Sequence, residues 1–475
     1  MRPEEALAAW SQACDGAGVD WYIFKDTLLC AHGYEAFPQE LTCAQIAVRG
    51  VDMPRIRREV FPRLPENWKL DLVGFFTNKQ RDLCFQAEKV PVLSLHILCG
   101  AESQQHMDSL AAETRGCWYK TRSRVRILRC LPLGIGKKLA RKIAGKTVND
   151  LMDRLGAWEE NQLYCCDCFA NDEPVLLEKR LFADKQWLSC GGVDYPVMGN
   201  YTAYLEVVYG DYENGLTDEV GVGLTVEEKQ ALKNHQQRCL QALAFVQEVS
   251  REFGLRYYLL AGSVLGAVRH GGFIPWDDDV DIGIRAEELD RFEEIIKQEL
   301  PKRLPRGFEL IQPAANFAYP RIFSKICYEG RCCMDLWPLV PTYVSGVRAL
   351  FTWFFGKLMT RVHYFKVGRV MDGHKKLIRL VGCFMTDKMT LGLARWNRLK
   401  YARRKTPAYI NLHSIYRREK ETILRIWLED ERTANFEGLQ VPVVGCTEEY
   451  LTHLYGDYMA RPAPWKRASR HADRF

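Results

Sequence analysis

"GGFIPWDDDVDIGI", from Gly271 to Ile284, places four carboxylates, Asp277, Asp278, Asp279 and Asp281, within five residues and runs straight into apolar sequence. Like charges this close repel, and burying an adjoining strand raises the cost of keeping them ionised. "DVDIGI" alternates polar and apolar positions, the period of a half-buried strand. Asp279 and Asp281 then share one face, Val280 and Ile282 take the other, and Asp278 points away. A divalent cation between two such carboxylates turns repulsion into ligation, and hard oxygen donors select Mg²⁺ or Mn²⁺. An EF-hand loop counted from Asp277 does not fit, because Ile282 stands where that loop needs glycine.

Upstream, "YYLLAGSVLGAVRHGG" reads as a strand and then a turn at Gly262 and Ser263 that opens a helix. Backbone N–H groups at such a turn can cradle phosphate. The stretch is neither a P-loop nor a dinucleotide fingerprint. Downstream, "RCCMDLWPL" supplies a third acid, Asp335, between Met334 and Leu336 in a strand-like run.

The chain reads as two copies of one pattern. "DWYIFKDTLLCAHGYEAFPQELTCAQIAVR", ending at Arg49, aligns without a gap with "RYYLLAGSVLGAVRHGGFIPWDDDVDIGIR", ending at Arg285. "YPVMGNYTAYLEVVYGDY", ending at Tyr212, matches "VPVVGCTEEYLTHLYGDY", ending at Tyr458. The spacing predicts tandem domains over 1–218 and 219–475. Leu41, Thr42, Cys43 and Gln45 face the four acids, and within "VLSLHIL" His96 is expected opposite Asp335. The first copy therefore does without the acids, which makes them a matter of function rather than of folding. "YGDY" survives in both copies, so Asp457 reads as structural.

Composition fits a globular chain of two or three domains: 475 residues, 47% hydrophobic, 27% charged. A net charge of +6 is too small to diagnose a nucleic-acid partner, and no nucleic-acid-binding module is recognisable, so none is expected. No basic leader with an apolar core opens the chain, and "ALFTWFFGKLMTRV" is cut by Lys357 and Arg361. Seventeen cysteines, an odd number without a secretory signal, predict reduced thiols in the cytoplasm. "CCDC" at Cys165 to Cys168 lacks a second ligand pair, and Cys327, Cys332 and Cys333 are irregularly spaced, so both read as buried thiols rather than zinc sites. Arg115 to Lys146 carries eleven Lys or Arg and no acid, and Thr352 to Gly382 interleaves aromatics with bases. Basic amphipathic helices of this kind predict peripheral contact with the inner membrane face; a solvated insertion packed on the core is the competing expectation.

"GSVLGAVRHGGFIPWDDDVDIGI", "FSKICYEGRCCMDLWPL" and "VPVVGCTEEYLTHLYGDYM" resemble the LicD/fukutin family, nucleotidyltransferase-fold enzymes that move an alcohol phosphate from a CDP-linked donor to a glycan. The resemblance implies a mixed α/β fold: tandem nucleotidyltransferase-like domains, each a small mixed sheet with flanking helices and a helical insertion. The first copy is then a degenerate, non-catalytic member. The resemblance implies that Asp279, Asp281 and Asp335 are the metal ligands and catalytic acids. Asp277, Arg269, His270, Trp276 and Lys325 fall on family positions and, with Gly262 and Ser263, are expected to bind substrate. Phosphocholine from CDP-choline is the leading donor group, with ribitol or glycerol phosphate as alternatives, and Trp276, Trp337 and Tyr258 offer either an aromatic wall for a quaternary ammonium or simple core packing. The expected acceptor is a glycan or its lipid-linked precursor. Nucleotidyl transfer from a nucleoside triphosphate, or a non-catalytic glycan-binding scaffold, are the competing functions.

Overall fold

The computed structural model describes residues 1–72, 75, 83–129, 135–155, 162, 164–167, 176–313, 321–366, 378, 381–382, 384–414 and 416–467. Two compact units divide the chain, Met1–Asp218 and Glu219–Phe475.

In the first unit α1 (Pro3–Asp15) precedes β1 (Trp21–Ile23), and α2 (Lys25–Gly33) leads into β2 (Ala44–Arg49). Strands β3 (Trp68–Leu70), β4 (Leu83–Ala87) and β5 (Val90–Ala101) follow. Two long helices, α3 (Gln104–Arg129) and α4 (Ile135–Leu155), separate β5 from β6 (Tyr164–Asp167) and β7 (Leu177–Glu178). The hairpin β8 (Gln186–Cys190) and β9 (Val193–Val197) and helix α5 (Tyr201–Tyr209) complete it. The sheet order is β1-β2-β5-β4-β3, with β6 on β5 and β7 on β6. Within it only β2 and β5 run parallel, among the described pairings.

The second unit opens on α6 (Val226–Phe253), whose Thr225 and Glu228 form a reciprocal capping box and whose far end is closed by Gly254 at φ 62°. Then come β10 (Tyr258–Leu259), α7 (Ala261–His270), β11 (Val280–Arg285), α8 (Leu289–Arg303), β12 (Phe308–Ile311), β13 (Ser324–Tyr328) and β14 (Arg331–Thr342). Helices α9 (Gly346–Lys366) and α10 (Asp387–Leu399) precede β15 (Ala408–Asn411) and β16 (Thr422–Leu424). The hairpin β17 (Glu431–Phe436) and β18 (Leu439–Val444), helix α11 (Thr447–Tyr455) and a short 3-10 turn (Pro464–Lys466) follow. The sheet order is β10-β11-β14-β13-β12, with β15 on β14 and β16 on β15, strand for strand the order of the first unit.

Apolar positions of α6 (Ala242, Val246, Val249) and of β11 (Val280, Ile282, Ile284) belong to one buried cluster with Leu336 of β14. Each fully buried aliphatic side chain contributes about 1.5–3 kcal/mol. That burial fixes the register of β11, because a slip of one residue would turn Asp281 into the core. A bulge between Ile326 and Cys327, facing β14, has its counterpart between Phe85 and Gln86, facing β5. Among the described residues no helix is long and apolar enough to cross a membrane.

Candidate active site

Three strands build the site as a row. Asp281 on β11 is the register partner of Asp335 on the parallel β14, and Asp335 is the partner of Lys325 on the antiparallel β13. Adjacent strands lie ~4.8 Å apart, so the three side chains stand side by side on one face. Lys325 Nζ lies 2.5 Å from Asp335 Oδ1, and both residues are buried. Lys325 Nζ also donates to Cys332 Sγ at 3.2 Å, and Cys332 Sγ to Asp335 Oδ1 at 3.1 Å. On the other side of the row, Trp337 Nε1 donates to Asp281 Oδ1 at 2.7 Å. Burial pushes the Asp281 carboxyl well above the usual range, and the neighbouring acids Asp279 and Asp335 push it further. The Trp337 bond pulls the other way.

The donor set suits a hard divalent cation. Ligand atoms of Asp279, Asp335 and Cys332 lie within 4.8 Å of one another, as do those of Asp277, Asp278 and Asp279. Carboxylate oxygens dominate both groups, the chemistry of Mg²⁺ or Mn²⁺, and the single thiol adds little to it. Burial opposes the ionisation of Asp281, Lys325 sits at the Asp335 end of the row, and Arg331 Nη2 lies 3.9 Å from Asp278.

The turn expected at Gly262 and Ser263 lies in the first turn of α7, directly after β10. A Cβ at Gly262 would lie 2.9 Å from Asp277 Oδ2, so glycine lets that carboxylate approach the helix backbone. The Ser263 hydroxyl accepts from the Asp281 N–H at 2.8 Å, which clamps β11 to the first turn of α7. Arg269 Nη1 donates to the carbonyls of Tyr458 and Ala460 at 3.1 and 3.2 Å, and its Nε to His270 Nε2 at 3.0 Å. The His270 and Trp276 rings meet edge-on at 6.2 Å, and the Arg467 guanidinium lies 5.6 Å from the Trp276 ring. Burial lowers the His270 pKa, and Arg269 and Arg461 lower it further. Thus Asp279, Asp281, Asp335 and Lys325 come together with Asp277 and Gly262, whereas Arg269, His270 and Trp276 form an adjoining basic corner.

Two expectations need correction. Asp278 does not point away: it is only 6% exposed and lies 3.9 Å from Arg331 Nη2. The strand starts at Val280, so alternation does not reach back to it. The partner of Gln45 is Ser94, as that of Asp281 is Asp335, so Ser94 rather than His96 holds the place of the third acid in the first unit. Of the two expectations for Tyr258, core packing holds: it is buried and donates to the Leu428 carbonyl at 2.7 Å.

Sequence reasoning missed the hydrogen bond of Trp337 to Asp281. Trp337 was within reach, since it lies two residues beyond Asp335 and so on the same strand face. Cys332, close to Asp335 in sequence, meets its carboxylate where the pairing of β13 with β14 is bulged. A buried trio, His235, Cys239 and Cys333, also places its ligand atoms within 4.8 Å, but His235 Nε2 is already engaged with the Cys332 carbonyl at 2.8 Å. Cys165, Cys166, Cys327 and Cys333 are buried and Cys332 is partly exposed, all five outside any disulfide; Cys168 lies outside the described residues. The basic run from Arg115 to Lys146 falls on α3 as far as Arg129 and on α4 from Ile135, and 130–134 lie outside the described residues. That from Thr352 to Gly382 is helical as far as Lys366, and 367–377 and 379–380 lie outside the described residues.

Residues 254–367 match the LicD/FKTN/FKRP nucleotidyltransferase domain. The chain is 26% identical over 271 residues to the lipopolysaccharide cholinephosphotransferase LicD of Haemophilus influenzae, covering 51% of this chain and 97% of that protein. It is 37% identical over 120 residues to the ribitol 5-phosphate transferase FKRP of Mus musculus and of Homo sapiens, covering 24% of this chain and 23% of each. The chain therefore spans about a quarter of the length of those two relatives.

Proposed function

From a chain whose residues 254–367 carry a nucleotidyltransferase domain of the LicD/FKTN/FKRP family, we propose that the second unit transfers an alcohol phosphate, phosphocholine in the first place, from a CDP-linked donor to a glycan hydroxyl. The observation that carries this is the row Asp281–Asp335–Lys325 across three adjacent strands. A divalent cation held by Asp279, Asp281 and Asp335 supplies, when bound, neutralisation of the charge that develops during phosphoryl transfer. Lys325 adds a point charge beside Asp335, and Trp337 orients Asp281 through its 2.7 Å hydrogen bond. Ser263 holds β11 in place, so that the acids present a fixed surface to the donor diphosphate. Asp335 takes the proton from the attacking acceptor hydroxyl, the phosphorus–oxygen bond to CMP breaks, and CMP leaves. In this reading the first unit is a non-catalytic copy that docks or supports, and the acceptor is lipid-linked and met at the cytoplasmic membrane face.

The test is CMP release with Mg²⁺ or Mn²⁺ from a panel of CDP-choline, CDP-ethanolamine, CDP-glycerol and CDP-ribitol. Release from one donor, abolished by Asp279→Ala or Asp281→Ala, supports the reading. Release that is insensitive to these substitutions, or pyrophosphate release from CTP or ATP instead, contradicts it.

A further inference from the structure

Helices α9 and α10 turn an apolar stripe to the outside. On α9, Val347, Leu350 and Phe354 are 83%, 53% and 57% exposed; on α10, Met389, Leu393 and Trp396 are 50%, 37% and 50% exposed. Their spacings put each trio on one helix face. The two faces join, because Phe351 stacks on Phe355 at 5.6 Å and Phe355 meets Trp396 edge-on at 5.7 Å. Lys400 Nζ lies 4.5 Å from the Phe351 ring and 5.5 Å from that of Trp396. The inner faces of both helices are already committed: Thr352, Gly356 and Met359 are buried on α9, and buried Asn397 of α10 donates to the Thr352 carbonyl at 3.1 Å. The outward stripe is thus surplus to the core, and a joined apolar surface of this kind marks an interaction site.

Charge says what covers it. From Gly346 to Pro407 the chain carries fifteen Lys or Arg and two acids. Of the acids, Asp387 is paired with Lys366 at 3.5 Å. Arg348, Lys388, Arg403, Arg404 and Lys405 are exposed. Two copies meeting through this face would bring their bases together, which disfavours self-association. An anionic bilayer satisfies both halves of the surface: its acyl boundary takes the Phe, Leu and Trp side chains, and its phosphates take the cations.

We propose that the α9–α10 face docks on anionic phospholipid, lying in the bilayer interface without spanning it. This deepens the reading of a lipid-linked acceptor and rests on that reading for its purpose, while its physics stands on the surface alone.

The experiment is flotation of the full chain with phosphatidylglycerol/phosphatidylcholine vesicles and with phosphatidylcholine alone, at low salt and at high salt. The parent is expected to float with the anionic vesicles only, and to lose that binding at high salt. Leu350→Ser/Phe354→Ser, at two exposed positions, is expected to lose it at low salt while keeping the parent's circular dichroism. Its CMP release in vesicle-free solution should equal the parent's, so a failure of the donor reading shows there and a failure of docking shows only in flotation. Equal flotation of parent and variant, no flotation with anionic vesicles, or a parent dimer in solution that the double substitution dissociates would overturn the proposal.

Discussion

The two units share a sheet order and differ in what one row of it carries. In the second, Asp281, Asp335 and Lys325 lie side by side; in the first, the same row holds Gln45, Ser94 and Cys84. The scaffold around the row repeats closely. The Gln45 N–H donates to Thr27 Oγ1 at 2.7 Å as the Asp281 N–H does to Ser263 at 2.8 Å. Lys25 and Ala261, each opening the helix before that clamp, share a left-handed φ of 45°. Such strain costs about 1–2 kcal/mol per residue, so its appearance in both units marks it as a demand of the turn rather than of chemistry. The first row draws its partners from within. Gln45 Oε1 accepts from the Asp26 N–H at 2.7 Å, and His96, two residues beyond Ser94, pairs with buried Asp167 at 2.6 Å, with Lys25 Nζ 3.7 Å from that carboxylate. The second row keeps Asp281, whose ionisation its own burial opposes, beside a second acid, Asp335. The comparison teaches that the same sheet order forms with and without the acids.

The largest test of that contrast removes the one cation in the acid row. Lys325→Met strands a buried Asp335 and is expected to cost about 3–5 kcal/mol without divalent ions. Urea unfolding should recover much of this when Mn²⁺ is added, whereas Cys84→Ala, at the matching place, should change little and respond to no ion. Equal ion responses in both variants would erase the contrast.

Activity sharpens it next. Asp335→Asn is expected to lower CMP release about 10²- to 10³-fold, the range for losing one electrostatic stabiliser. Ser94→Ala in the first unit should leave the rate where it was, and parallel losses would make both rows catalytic.

The first row has its own signature. His96→Ala leaves Asp167 short of a buried partner and should cost about 1–3 kcal/mol in urea unfolding, with CMP release unchanged. A loss of transfer with stability intact would give that network a chemical part. Smallest of all, Asp457→Asn, where the carboxylate merely accepts from the Ala460 N–H at 3.4 Å, should shift stability by under about 0.5 kcal/mol and leave transfer unaltered.

What the sequence made legible was local. Alternation in "DVDIGI" located β11, and the turn before "SVLGAVRH" located α7. What it missed depended on partners far along the chain or on irregular backbone. The Arg269 partners lie at Tyr458 and Ala460, which no spacing near "RHGG" announces. Alternation also misplaced Asp278, since a period of two says nothing about residues before the strand begins. Counting from flanking motifs put His96 where the strand register puts Ser94, because register belongs to the pairing of β2 with β5 and not to either strand alone.

The central claim is that the acid row of the second unit, and no counterpart in the first, holds a divalent cation. Equilibrium dialysis of the full chain against Mn²⁺ tests it most directly, comparing parent, Asp281→Asn and Gln45→Ala. The account predicts saturable binding in the parent, its loss in Asp281→Asn and its full retention in Gln45→Ala. Saturable binding that survives Asp281→Asn, or that disappears with Gln45→Ala, would contradict it.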